Sequence, residues 1–509
     1  MSENNAPLSR REFLKLASLL PLSLLVPRQW FQGVTPAGDR PNILVLVFDA
    51  WSAENISLYG YPRRTTPNIE RLAESAIVYH NHHAGGHFTT PGTASLLTGT
   101  TPWQHRAFKH NDRVAASKVQ HNIFHAFADY HRVAYTHNPL ANTLLKQFLA
   151  DIEQHYPWQY LYLESDRLVT TLFKNDLDTA LIGWRRAMKR LDAGHAYTLY
   201  LSQIYENIKK RHLAGLLPQF PRDIPNYNGL GLNYFTLEEG IDWLAGLAGG
   251  LPQPFLGYFH FLPPHDPYNT RREFVDAFAG DGYSPVEKPL HPLDQTIEPQ
   301  RMRRNHRWYD EFILYVDAEF ARLFDILENS GLLENTWLVV TSDHGEMFER
   351  GILGHIMPVF HQPISHIPLM IFPPGQRERV DIYDRTFAVD LLPTLLHLSG
   401  NPIPDWTEGS VLPPFAPNPP ADRDLTTLQV EGYYADGSVA QATLMLIRGN
   451  YKIMWYFGYE QLEDKEFIEL YDLAADPGER HNLYPQRRDL AEPMLATLRE
   501  KLDALNNAG

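Results

Sequence analysis

The chain has 509 residues, 44% of them hydrophobic and 21% charged, with a formal net charge of −15. That length exceeds one small core, and the composition is that of a folded, soluble protein. The acidic balance, without any run of Lys or Arg, argues against a nucleic-acid partner, and the absence of cysteine excludes disulfides, thiolate metal sites and cysteine nucleophiles.

Residues 9–15 are Ser-Arg-Arg-Glu-Phe-Leu-Lys, and an apolar run broken by Pro21 continues over 16–26. The paired Arg10-Arg11 ahead of a short apolar stretch is the pattern of a twin-arginine signal. It makes the twin-arginine export machinery a partner and a periplasmic or extracytoplasmic compartment the destination. The apolar run is about half of the roughly 20 residues that span a bilayer. No clear small-x-small cleavage site comes after it, so removal and retention as a membrane anchor both stay open. Residues 1–38 are therefore assigned to the signal and not to the fold.

The first strand is Asn42–Phe48, a continuous apolar and β-branched run of the kind buried on both faces of a parallel sheet, with Asp49 just past its end. Thr66-Pro67 opens a helix, with Thr66 able to cap and Pro67 suited to the first turn. Residues 115–250 show helical patterns rich in Tyr, Phe, Trp and Leu without strong strand signals, and are expected to form an inserted cap on the substrate side. A second buried strand over 255–262 ends at Pro263-Pro264-His265. An amphipathic helix over 309–329 leads into the strand Thr336–Thr341, which ends at Ser342-Asp343-His344. Residues 367–372 form a further strand and 390–398 a helix stopped by Gly400. A Pro-rich stretch (401–420) is expected to link residues 39–400 to a C-terminal subdomain (421–509) with short strands at 443–447 and 451–457 and a last helix near 490–505. The alternation of strands and helices predicts α/β with a largely parallel sheet. Asp49, His265, Asp343 and His344 all lie just past strand C-termini, the edge where such sheets bind their ligands.

Asp343-His344-Gly345-Glu346 offers a carboxylate and an imidazole for one divalent cation, with a glycine to turn the backbone beside them. Asp49 adds a second acid if the fold brings the strand ends together. The run from Thr89 to Gly99 places a hydroxyl on a turn entering a helix, where the dipole favours an oxyanion. A cation on that oxygen would lower its pKa and turn it into a nucleophile. Thr90 and Thr93 are expected to be ordinary helix-start residues, with contact to the substrate as the alternative for either.

From about Arg40 onward the chain resembles the sulfatase family of the alkaline phosphatase superfamily. The resemblance rests on seven stretches in order: 42–50, Leu58 to Tyr61 with 65–73, the threonine run with Pro102 and His105, Pro264-His265-Asp266-Pro267-Tyr268, 341–346, 390–394 and 469–483. It implies an alkaline-phosphatase-like three-layer sandwich with a mostly parallel central sheet, plus a small α+β subdomain at the C-terminus. It also implies that Asp49, Asp343 and His344 bind the metal, and that Thr89 stands at the nucleophile position and touches the same ion. His265 and His355 would grip the anionic group or protonate the leaving oxygen. His105 and His137 are weaker candidates for the site.

Four departures bear on mechanism. Most relatives carry Cys or Ser where this chain has Thr89, and convert it to formylglycine; the methyl group on the threonine β-carbon forbids that aldehyde. Gly92 and Thr93 replace the usual Ser and Arg. The usual Gly-Lys-x-His stretch reads Tyr135-Thr-His-Asn-Pro139. The common Asp-Asp pair is Asp49-Ala50, and on a related template Glu54 supplies the second acid. Fewer acids and a histidine favour zinc or manganese, with calcium or magnesium as alternatives. Three functions are compatible with these features: a phosphate-ester hydrolase or transferase using Thr89, a sulfatase working without formylglycine, or a non-catalytic binder of anionic glycans or lipids. The substrate body is a small-molecule, glycan or lipid ester.

Overall fold

The computed structural model of the chain describes residues 40–163, 211–227, 233–416 and 423–507. Residues 1–38, and residues 164–210 and 228–232 of the expected cap, lie outside these. Eight strands make the central sheet: β1 (Asn42–Phe48), β2 (Ile77–Tyr79), β3 (His131–Thr136), β4 (Gln154–His155), β5 (Phe255–Phe261), β6 (Thr336–Thr341), β7 (Leu369–Phe372) and β8 (Val380–Ile382), in the spatial order β8-β2-β7-β6-β1-β5-β3-β4. All neighbours run parallel except β7, which is antiparallel to β2 and β6.

The seven residues of β1 are all buried because each face of the sheet carries its own layer. Leu44, Leu46 and Phe48 join a core with helices α1 (Pro67–Leu72), α4 (Leu237–Ala248) and α5 (Pro299–Asn329). Ile43, Val45 and Val47 join the opposite core with α2 (Thr89–Thr98), α3 (Pro139–Gln147) and α7 (Leu391–Leu398). The result is the expected three-layer sandwich. α5 starts ten residues earlier than its apolar stripe suggests, with Pro299 in its first turn.

Three expectations need correction. Residues 131–136, expected within a helical insertion, form the inner strand β3 between β5 and β4. Its first two residues, His131 and Arg132, are only half-buried, so the apolar signal is confined to the last four positions. The Pro-rich stretch is not a free spacer over its described part. Trp406 donates to the Thr98 carbonyl at 3.3 Å, Glu408 accepts from the Thr101 N–H at 2.6 Å, and Leu412 is buried. Thr66, expected to cap α1, instead shares its hydroxyl with Ser57 at 3.0 Å. The cap comes from Asp317 on α5, whose carboxylate accepts the N–H groups of Asn68 and Ile69 at 3.0 and 2.8 Å. Replacing Asp317 with alanine leaves these buried donors unpaired and is expected to cost about 2 kcal/mol of stability. Urea unfolding monitored by circular dichroism would show it as a lower midpoint.

The C-terminal subdomain is an antiparallel sheet of β9 (Leu425–Tyr433), β10 (Val439–Arg448), β11 (Tyr451–Phe457) and β12 (Glu466–Asp472). One face packs on helix α8 (Arg488–Asn507), and the other buries Met445, Met454 and Tyr456 against Phe360 and Ile364 of the body. Among the described residues no helix is long and apolar enough to cross a membrane.

Candidate active site

Three adjacent parallel strands end together. β6, β1 and β5 deliver Asp343, Asp49 and His260 to one buried cluster, fixed by the register that pairs Val47 with both His260 and Thr341. Asp49, His260 and Asp343 each offer one ligand atom, all within 4.8 Å of one another. His260 Nε2 lies 3.1 Å from Asp49 Oδ2 and 3.7 Å from Asp343 Oδ2. His344 Nε2 lies 3.4 Å from Asp49 Oδ1 and 3.7 Å from Asp343 Oδ2.

Local hydrogen bonds aim these groups inward. Asp343 Oδ1 accepts the N–H groups of Ala50 and His344 at 3.3 and 3.0 Å, which turns Oδ2 toward the histidines. His344 Nδ1 donates to the Gly345 carbonyl at 2.9 Å, leaving a lone pair on Nε2, the tautomer a metal ligand needs. Helix α2 brings Thr89 against the same cluster. A Cβ on Gly92 would stand 2.2 Å from the Asp343 carbonyl oxygen, so the glycine is what lets α2 approach β6 this closely. Thr93 Oγ1 donates to Asp343 Oδ2 at 3.4 Å. The Thr89 hydroxyl, in the first turn of α2, lies 3.4 Å from His344 Nε2 and accepts from Asn138 Nδ2 at 3.1 Å. The same Asn138 amide donates to Asp49 Oδ2 at 2.6 Å.

The charged groups of the cluster shift one another. Burial would raise the pKa of Asp49, but His265, His260 and His344 outweigh it and hold the carboxyl well below its ordinary range. Burial and the charge of Asp49 raise Asp343. Burial disfavours a charged His344, yet the Asp343 and Asp49 carboxylates bring it up to about 9. Asp49 Oδ1 and His260 Nε2 are buried without a hydrogen-bond partner. Two carboxylates, two imidazoles and a hydroxyl converging on orphaned atoms form a donor set that fits one divalent cation.

A pair of histidines flanks the cluster. The His265 and His355 rings are 4.8 Å apart, and His355 is 4.3 Å from His344. His265 Nδ1 donates to the Asp266 carbonyl at 2.7 Å, and His355 Nδ1 bonds Glu346 Oε1 at 2.9 Å, so the Nε2 atoms remain for a ligand. Burial works against charge on His265, but Asp266 and Asp49 raise its pKa; burial, with His344 next, pushes His355 well down.

The structure thus brings Asp49, Thr89, His265, Asp343, His344 and His355 together. Glu54 stands apart: its exposed carboxylate bonds His366 Nδ1 at 2.8 Å. His105 is held by Ser95 Oγ and the Ala107 N–H at 3.1 Å each, within the body. His137 stacks on Phe235 at 4.6 Å, and neither ring nitrogen has a hydrogen-bond partner. Two residues of the site are not evident from sequence. His260 hides inside a strand whose pattern is that of core, and Asn138 stands out only within a departure from the family pattern, although Asn-Pro before a helix is a capping signal. Asn138→Ala removes the donor shared by Asp49 and Thr89. It is expected to lower kcat about 10- to 100-fold, and to cost about 1 kcal/mol through the lost cap on Leu140. Steady-state kinetics beside thermal melting separate the two effects.

Among known proteins, the sulfatase family model matches residues 41–401, and a model described as N-sulphoglucosamine sulphohydrolase, C-terminal, matches residues 358–508. The choline-sulfatase of Rhizobium meliloti is 24% identical over 474 residues, covering 87% of this chain and 82% of that protein. The ulvan-active sulfatase of Formosa agariphila is 25% identical over 485 residues, covering 92% and 80%. The solved phosphonate monoester hydrolase of Agrobacterium radiobacter superposes with a TM-score of 0.64 at 18% identity, over 92% of this chain and 96% of that one.

Proposed function

From membership of the sulfatase family, to which this chain belongs, we propose that this hydrolase of ester bonds uses Thr89 as its nucleophile and cleaves phosphate or phosphonate esters. The observation that carries the reading is Thr89 itself. Its hydroxyl stands at a helix N-terminus against Asn138 and His344, and threonine cannot give the aldehyde that the family resemblance implies for this position.

Asp49, Asp343, His344 and His260 would hold one divalent cation, with Thr89 Oγ1 beside it; the mixed oxygen and nitrogen donors favour zinc or manganese over calcium or magnesium. When bound, the cation would lower the pKa of the Thr89 hydroxyl and offset charge on the ester oxygens. The chain's own residues supply the rest. Asn138 Nδ2 orients Oγ1 so that a lone pair faces the incoming phosphorus. The Thr89 hydroxyl gives its proton to solvent, attack forms the Thr89 Oγ–P bond and breaks the bond to the leaving oxygen, and that oxygen takes a proton from Nε2 of His265, while His355, held uncharged by burial, faces the anionic group. Water then cleaves the threonine ester: its oxygen bonds to phosphorus, one of its protons returns to His265, and the Thr89 oxygen is released and takes back a proton from solvent.

A second reading, a sulfatase that works without formylglycine, draws support from the names of the relatives, both sulfatases. A panel of aryl phosphomonoesters, phosphodiesters, phosphonates and sulfates, run with Zn, Mn, Ca and Mg, decides between them. Phosphorus esters are expected to turn over faster than sulfates. Sulfate turnover well above that of every phosphorus ester would replace the first reading with the second. Export through the twin-arginine pathway, proposed from residues 9–15, would deliver the enzyme folded.

A further inference from the structure

A second group of buried charges lies where the C-terminal sheet meets the catalytic body. Glu469 Oε2 is 3.5 Å from His291 Nε2 and 3.4 Å from His361 Nε2. The distances alone would suit a cation, but the hydrogen bonds do not. His291 Nδ1 accepts the Leu293 N–H at 3.0 Å, which leaves the ring proton on Nε2, facing Glu469, where a metal would need a lone pair. The group is a chain of paired polar side chains, and it continues. His361 Nδ1 lies 3.2 Å from Glu479 Oε2, and Glu479 Oε1 pairs with Lys452 Nζ at 2.8 Å, with both of these side chains fully buried.

The far end of this chain grips the catalytic loop. Glu479 Oε2 accepts the Gln362 N–H at 2.8 Å, and Lys452 Nζ donates to Ser365 Oγ at 3.0 Å, so both hold helix α6 (Gln362–Ser365). Inside that turn the Ile364 carbonyl accepts the Gly345 N–H at 2.8 Å. A Cβ on Gly345 would stand 2.0 Å from the Pro363 carbonyl oxygen, so backbone rests directly on backbone here. Gly345 in turn takes the Nδ1 proton of His344 on its carbonyl.

We propose that Glu479 is a positioning residue for His344: from the C-terminal subdomain it fixes α6, α6 fixes Gly345, and Gly345 fixes the imidazole at the cation site. The inference rests on the reading of His344 as a cation ligand. Outer partners of this kind affect metal affinity through geometry, so the effect should pass to the metal and to kcat and spare substrate affinity.

Two double variants test it without leaving a buried unpaired charge. Lys452→Met with Glu479→Gln keeps a carbonyl acceptor for the Gln362 N–H; Lys452→Met with Glu479→Leu removes it. Calorimetric titration of the apo forms with zinc or manganese, kcat, KM and melting temperature are read for both. The leucine form is expected to bind the cation about 10-fold more weakly and to lose kcat about 100-fold with KM within about 3-fold, the glutamine form staying near wild type on all three. Equal affinities and equal kcat in the two folded forms would overturn the proposal, as would equal losses in both. If the leucine form does not fold, Gln362→Pro removes the donor instead, at a first helical position that tolerates proline. A folded Gln362→Pro protein with wild-type affinity overturns the proposal, and a loss of about 10-fold supports it. Wild-type protein and Asp343→Asn are titrated alongside. If the wild type binds no cation, the cation reading fails first; if it binds and Asp343→Asn does not, any failure belongs to Glu479 alone.

Discussion

Thr89→Ala is expected to lower kcat by about 10,000-fold while the cation stays bound. The side chain is buried and its hydroxyl makes two contacts, to Asn138 Nδ2 and His344 Nε2. Removing it orphans neither partner, because Asn138 Nδ2 keeps Asp49 Oδ2 at 2.6 Å and His344 keeps its Nδ1 bond to the Gly345 carbonyl at 2.9 Å. Folding and metal content should therefore change little, and the loss should fall on chemistry. Thr89→Ser retains the hydroxyl and should keep turnover within about 10-fold of wild type. Single-turnover assays on an aryl ester, with metal analysis of each protein, check both statements; an alanine variant that turns over at the wild-type rate would end the nucleophile assignment.

Asp343→Asn carries the second large effect. The asparagine carbonyl can still accept the N–H groups of Ala50 and His344, so the local backbone is preserved. The change falls on the inward atom: a carboxylate oxygen facing His260 and His344 becomes an amide NH₂, which brings donors and no charge. The variant is expected to hold no stoichiometric cation and to lose kcat about 1,000-fold or more. Chelation of the wild type should have the same kinetic result. It should also remove the stabilisation that a cation at a hundredfold its Kd provides, about 2.7 kcal/mol. Metal per chain, kcat and melting temperature, each with and without added zinc, are the measurements. A metal-free variant of full activity would refute the assignment.

Much of this site is legible in the sequence because its residues come directly after strands that are apolar throughout. Asn42–Phe48 and Thr336–Thr341 announce themselves, and a residue just past a doubly buried parallel strand stands at the ligand edge. The same rule conceals His260, which stands inside β5, one residue before its end, in a run whose pattern is that of core. Strand β3 escapes because it begins with His131 and Arg132, whose half-burial breaks the apolar pattern. Glu54 is placed at the site by a template from relatives, but five residues past Asp49 the chain has already turned through a short 3-10 helix that points the carboxylate to His366. Thr66 shows a limit of local reading of another kind. Its position before Pro67 is a capping signal, yet the cap is supplied by Asp317, far along the chain, and only the packing of α5 on α1 reveals it.

The central strand also sets a timetable for synthesis. β1 pairs with β5 and β6 and with no strand nearer in the chain. At about 5–20 residues per second, a ribosome needs roughly 10–40 s after completing β1 to reach Phe255, and longer still to reach Thr336. During that interval a seven-residue apolar strand has both edges bare, the condition that templates aggregation. A nascent chain arrested before Phe255 would carry Thr89 and Asp49 without His260, Asp343 or His344 and should depend on chaperones to stay in solution.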